Sequence, residues 1–203
     1  MTRIKLCGLS RPCDIEAANK LKPEYVGFVF APESRRYVSP GKAAELKKLL
    51  APGILAVGVF VREEPQVIAG LLEEGIIDAA QLHGGEGEED IRRLKMLTGK
   101  PVIHAFRMDG EQDIARVKRS SGDLVLLDSG SGGTGTAFDW RLAKKLARPY
   151  FLAGGLGADN VASAIQNLRP YGVDVSSGIE TDGVKDESKM TAFVAAVRKG
   201  EQI

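Results

Sequence analysis

The chain has 203 residues, enough for one domain with a sizeable core. Its 28 basic and 27 acidic residues leave a formal net charge of +1, which speaks against binding to nucleic acid or a membrane surface, where a basic excess or patch is the rule. The two cysteines, Cys7 and Cys13, form neither a disulfide framework nor a metal knuckle, so the expected setting is a reducing cytoplasm.

Short apolar runs alternate with longer amphipathic stretches along the whole sequence. The segments predicted as strands are Ile4–Cys7, Tyr25–Phe30, Leu55–Phe60, Ala79–Leu82, Val102–Ala105, Leu124–Asp128, Tyr150–Ala153 and Val173–Ser176. Several are continuous runs of Val, Ile, Leu and Phe, the pattern of parallel strands covered on both faces. Between them, Pro40–Leu50, Pro65–Glu74, Glu86–Leu97, Asp159–Leu168 and Lys189–Arg198 place apolar residues at i, i+3 and i+4, as a helix with one buried stripe requires. Ser39-Pro40 and Glu64-Pro65 put proline at a helix start. Cys13 opens a further helical pattern. Glu111–Arg119 reads as a short helix or a connecting loop, and Asp139–Ala147 as a helix with Trp140 near its start. The N-terminus has no apolar stretch of signal-peptide length, and no segment approaches the roughly 20 apolar residues of a membrane span.

Eight strands with helix-length connections predict one TIM-type (β/α)8 barrel over residues 1–203, near the lower end of the length range for that fold. A doubly wound sheet, with five or six such units, is the alternative. Barrel enzymes carry their chemistry at the C-terminal ends of the strands, so those positions are the first candidates. Cys7 ends strand one and is either a small buried hydrophobe or a thiolate able to take a proton from carbon. Asp128 closes the apolar run Leu124-Val125-Leu126-Leu127. It is either a helix cap or solvated loop residue, or a carboxyl held at the barrel mouth for acid–base work. Asp174 lies among valines on strand eight, as a site residue or a structural acid paired to a lysine such as Lys5.

Two glycine- and serine-rich turns, Ala153-Gly154-Gly155-Leu156-Gly157 and Ser176-Ser177-Gly178-Ile179-Glu180, follow strands seven and eight. Backbone N–H groups in such turns hold anions, and this pairing is where barrels bind phosphate. Read as plain tight turns, they would carry no ligand. Arg36 follows strand two in Ser34-Arg35-Arg36-Tyr37. It can solvate the surface or bind a carboxylate, and spacing alone does not separate it from Arg35. His83, at the end of strand four, suits substrate contact or an ordinary loop position. With only His83 and His104 in the chain, a histidine metal site has little room. His104 carries no functional argument.

Taken together these segments resemble the phosphoribosylanthranilate isomerase family of tryptophan biosynthesis. The likeness rests on Lys5-Leu6-Cys7-Gly8-Leu9, Gly27-Phe28-Val29-Phe30, Ser34-Arg35-Arg36-Tyr37, Gln81-Leu82-His83-Gly84 and Leu127-Asp128-Ser129. It continues through Gly133-Thr134-Gly135, Phe138-Asp139-Trp140, Ala153-Gly154-Gly155-Leu156 and Asp174–Glu180. It implies an Amadori rearrangement of N-(5-phosphoribosyl)anthranilate to 1-(2-carboxyphenylamino)-1-deoxyribulose 5-phosphate. Asp128 would be the acid that opens the ring and Cys7 the base at C2. Arg36 would hold the anthranilate carboxylate, with His83 and Asp174 auxiliary. Gly154, Gly155, Ser176, Ser177 and Gly178 would bind the phosphate, and Ser129–Thr136 would be a loop closing over substrate. The resemblance implies no metal or cofactor and no partner beyond the small phosphorylated substrate, the chain being a monomer or homodimer. The rivals are the histidine-pathway isomerase, whose pattern has aspartate where this chain has Cys7, and a non-catalytic phosphate-binding barrel.

Overall fold

A computed structural model describes residues 1–129 and 142–200 of the chain. Eight strands pair in parallel and close on themselves, β1 bonding to β8 as well as to β2. They are β1 Arg3–Cys7, β2 Tyr25–Val29, β3 Leu55–Phe60, β4 Ala79–Leu82, β5 Val102–Met108, β6 Leu124–Ser129, β7 Tyr150–Leu152 and β8 Gly172–Val175. Helices α1 Pro12–Leu21, α2 Pro40–Leu49, α3 Pro65–Glu73, α4 Glu88–Thr98, α5 Gln112–Arg119, α6 Val161–Leu168 and α7 Glu187–Gly200 connect them or follow the last. This is the predicted (β/α)8 barrel.

The alternation of strand side chains sorts the core into two layers. Ile4, Leu6, Val26, Phe28, Phe60, Leu127 and Val173 belong to a large cluster that also takes in the buried faces of the helices. Val57, Ala79, Ile103, Leu126 and Phe151 form a separate cluster within the barrel. Cys7, Val29, Ala31 and Val59 make a smaller one beside it. Both faces of each strand are therefore covered, which is why the strands read as unbroken apolar runs. A truncation such as Phe28→Ala, at a wholly buried site, costs about 3–5 kcal/mol.

Local chemistry sets the ends of the elements. Ser39 Oγ accepts the Lys42 N–H at 3.2 Å to cap α2, with Pro40 next in the chain. Asp186 caps α7 by accepting from the N–H groups of Ser188 and Lys189 at 2.9 and 3.1 Å. The segment that allowed a helix or a loop is the helix α5. Asp113 accepts the N–H groups of Asp109 and Gly110 just before it, and Ile114 and Val117 are buried.

Two expectations need correction here, and one element was not anticipated. The helix predicted over Asp139–Ala147 is, among the described residues, one 3-10 turn at Ala143–Lys145. Pro149 disfavours helix at the residue before it, and the Arg148 guanidinium reaches across to the carbonyls of Val117, Ser120 and Gly122 at 2.6–3.1 Å. Strand β5 runs on to Met108, three residues past its predicted end, because β6 pairs with it as far as Met108↔Ser129. After β8 the chain makes a small antiparallel hairpin, β9 Glu180–Thr181 with β10 Val184–Lys185, which the apolar pattern did not foretell.

Candidate active site

The C-terminal ends of the strands surround a cavity of about 570 Å³. Of the ten residues singled out from the sequence, Cys7, Arg36, His83, Asp128, Asp174, Gly154, Gly155, Ser176 and Ser177 all line it. Gly178 is the exception. It supports the wall instead, because its backbone packs so close to the Leu156 carbonyl that an added Cβ would lie 2.0 Å from that oxygen. The two turns are thereby pressed together. Asn160 braces the first of them, accepting the Gly157 N–H at 2.9 Å and donating to the Gly155 carbonyl at 2.8 Å. That clamp occupies Asn160, and α6 starts at Val161 rather than at the predicted Asp159.

Cys7 sits at the end of β1 among buried ions. Lys5, two residues earlier and pointing the same way, is fully buried and donates to Asp174 Oδ1 at 2.7 Å. The structural reading of Asp174, a partner for Lys5, is thus realised in a residue that also faces the cavity. Gly27, beside Cys7 on β2, makes the arrangement possible. A Cβ there would come within 2.7 Å of the Cys7 Sγ and 3.2 Å of the Lys5 Nζ. Burial pushes the Cys7 thiol up from its ordinary value, and Asp174 adds to this, while the Lys5 and Lys185 ammonium groups pull it back without cancelling the rise. Burial would lower the Lys5 ammonium, but Asp174 and Cys7 more than compensate, so Lys5 stays protonated.

Across the cavity, Asp128 Oδ2 lies 3.4 Å from His83 Nε2. His83 Nδ1 is 3.4 Å from Gln81 Nε2. The Gln81 side-chain oxygen is buried without a hydrogen-bond partner among the described residues, an open acceptor next to the cavity. His104 is remote from this chemistry. It bonds to Ser120 Oγ at 2.9 Å and packs on Phe106, and burial lowers its pKa.

Arg35 and Arg36 both line the cavity, and Arg36 is the less exposed, with side-chain exposures of 22% against 59%. Its guanidinium bonds side-on to Glu180, Nε to Oε1 at 2.6 Å and Nη2 to Oε2 at 2.8 Å. Lys185, from β10, donates to Glu180 Oε1 at 2.6 Å and to the Ser176 carbonyl at 2.9 Å. Burial works against the Glu180 charge, but hydrogen bonds from Arg36 and Lys185 win and hold its carboxyl down at about 2. Glu180 and Lys185 escaped the sequence reading as site residues. Glu180 closes the turn that begins at Ser176 and carried no role there, and nothing around Lys185 marks it as buried. The predicted closing loop lies, from residue 130 onward, outside the described residues, as do Gly133-Thr134-Gly135 and Phe138-Asp139-Trp140.

A donor–acceptor set of this kind can protonate one atom of a ligand, deprotonate another, and grip anions at two ends. Comparison with known proteins places the chain in a family. The family model described as N-(5'-phosphoribosyl)anthranilate (PRA) isomerase matches residues 4–196. A protein of Endomicrobium trichonymphae named N-(5'-phosphoribosyl)anthranilate isomerase is 45% identical over 202 residues, covering 98% of this chain and 99% of its own. The crystal structure of phosphoribosyl anthranilate isomerase from Thermotoga maritima matches with a TM-score of 0.89 at 36% identity, covering 98% of this chain and 100% of that one. A phosphoribosyl anthranilate isomerase in complex with reduced 1-(o-carboxyphenylamino)-1-deoxyribulose 5-phosphate matches with a TM-score of 0.86 at 35% identity, with the same coverage.

Proposed function

The chain belongs to the N-(5'-phosphoribosyl)anthranilate isomerase family, and on that premise we propose how its own residues carry the reaction. The enzyme converts N-(5-phosphoribosyl)anthranilate into 1-(2-carboxyphenylamino)-1-deoxyribulose 5-phosphate, an aldose–ketose isomerisation of tryptophan biosynthesis. One observation carries the assignment of roles. Cys7 and Asp128, from β1 and β6, line the same cavity as Arg36 and the two turns after β7 and β8.

Asp128 gives a proton to the ring oxygen as the C1–O bond breaks, and the nitrogen lone pair closes a C1=N iminium. The iminium acidifies the C2 proton. The Cys7 thiolate takes that proton, its electrons form C1=C2, and the iminium becomes an enolamine. Tautomerisation then turns the C2 hydroxyl into the ketone and returns a hydrogen to C1. Atoms and electrons balance within the substrate, so no external oxidant or reductant enters.

Lys5 remains cationic beside Cys7 and offsets part of the burial that opposes the thiolate. His83 lies within 3.4 Å of the Asp128 carboxyl and orients it. Gly154, Gly155, Ser176 and Ser177 receive the phosphate, braced by Gly178 and Asn160. Arg36 receives the anthranilate carboxylate.

The test is a fluorescence assay with freshly prepared phosphoribosylanthranilate. The purified chain consumes it well above the spontaneous rate and gives the ketose phosphate. Tight binding without turnover would favour the non-catalytic barrel.

A further inference from the structure

In and behind the cavity wall lie more cationic groups than the reaction uses, and three of them share one anion. Glu180 has a side chain only 3% exposed, yet three cations converge on it. Arg36 takes both oxygens side-on, Arg35 Nη2 reaches Oε2 at 2.9 Å, and Lys185 reaches Oε1 at 2.6 Å. Its backbone is fixed too, since Lys189 Nζ donates to the Glu180 carbonyl at 2.7 Å. The hairpin that carries Glu180 and Lys185 is anchored in turn by Arg11, whose Nη2 donates to the Lys185 carbonyl at 2.7 Å.

A guanidinium has two edges suited to a carboxylate. Glu180 occupies the Nε/Nη2 edge of Arg36. Among the described residues no hydrogen bond takes the end-on edge, Nη1 with the second hydrogen of Nη2, and Arg36 lines the cavity. Glu180 therefore selects which edge of Arg36 the ligand meets and holds the planar group still before it arrives. Lys185 extends the connection, because the ammonium that bonds Glu180 also bonds the carbonyl and hydroxyl oxygens of Ser176 at 2.9 and 3.2 Å. Ser176 stands in the phosphate turn, so the two anion sites are joined by one buried cation.

We propose that Glu180 is a positioning residue that orients Arg36 toward the substrate carboxylate, and that Lys185 ties this carboxylate site to the phosphate turn. The inference rests on the reading of Arg36 given under the proposed function and deepens it. It predicts discrimination. A loss passed on through Lys185 and the phosphate turn falls on any substrate, whereas the loss through Arg36 falls only on substrates whose aglycone carries a carboxylate.

The experiment compares phosphoribosylanthranilate with N-(5-phosphoribosyl)aniline, which lacks the carboxylate, in the wild type, Arg36→Met, Glu180→Gln and the double variant. For the carboxylated substrate, Glu180→Gln is expected to raise KM about tenfold and to leave kcat within about threefold. In the Arg36→Met background it should add much less than tenfold. For the aniline substrate, Arg36→Met and Glu180→Gln should each cost several-fold less in kcat/KM than they do for the carboxylated one. An unchanged or lowered KM for Glu180→Gln overturns the proposal. So does an equal loss on both substrates, or a further tenfold loss when Arg36 is already absent. Should Arg36→Met itself affect both substrates alike, the carboxylate reading of Arg36 fails instead, and the two failures are told apart. Glu180→Asp, which keeps the charge but withdraws it by one methylene, runs the same comparison if Glu180→Gln does not accumulate as folded protein.

Discussion

Lys5 Nζ and Asp174 Oδ1 meet at 2.7 Å across the β1–β8 seam, the lysine wholly buried and Cys7 alongside. Breaking such a pair leaves the other charge uncompensated, which costs about 3–5 kcal/mol. Lys5→Met should lose stability on that scale in urea unfolding. Lys5→Met combined with Asp174→Asn should lose less than the two single changes summed. Strict additivity would mean that the pair is not coupled in solution.

Cys7→Ser and Asp128→Asn should each lower kcat by about 10²–10⁴-fold, the usual contribution of one acid or base. Both keep the size and polarity of the native group, so binding of a reduced product analogue should survive. Near-normal turnover by either purified variant would dismiss the acid–base assignment.

The thiol makes a directional prediction about pH. Its pKa is raised, by burial first and Asp174 second, and only the thiolate can take the C2 proton. The thiolate fraction of the free enzyme should therefore climb only in the alkaline range, its limb lying above the ordinary thiol value. In a Cys13→Ala chain, the ultraviolet absorbance of the thiolate should titrate with the same limb. Lys5→Met removes the nearest cation, so the limb should move higher still. A limb below the ordinary thiol value, or a downward shift in Lys5→Met, contradicts the charge arrangement.

Gly178→Ala tests the phosphate turns. An added methyl would strike the Leu156 carbonyl, so one turn must withdraw from the other. We expect weaker binding of inorganic phosphate and a higher KM, with kcat much less affected. Unchanged phosphate affinity would mean that the spacing of the turns does not matter to the anion.

Much of the barrel was legible in the residue order, for reasons that also account for the omissions. Strands such as Leu124–Leu127 announce themselves because both faces are buried, and a short continuous apolar run suits a covered parallel strand. The site residues at strand ends followed from the architecture. The segment around Ala143 read as a helix because the pattern resembles one, and no pattern shows Arg148 reaching for three carbonyls on another segment. The hairpin at residues 180–185 was invisible because two-residue strands have no period to detect. Its lysine was invisible as well. Lysine is rarely fully buried, and only the fold brings Glu180 and Ser176 within its reach.

Gly27 carries no reactive group, yet it stands against two charged or reactive ones. A Cβ in the hollow left by its missing side chain would force the Cys7 sulfur aside and crowd the Lys5 ammonium. In a saturation library of this gene selected by growth without tryptophan, codon 27 should return glycine alone. Alanine, the smallest of the other nineteen, should be purged as thoroughly as a change at Cys7.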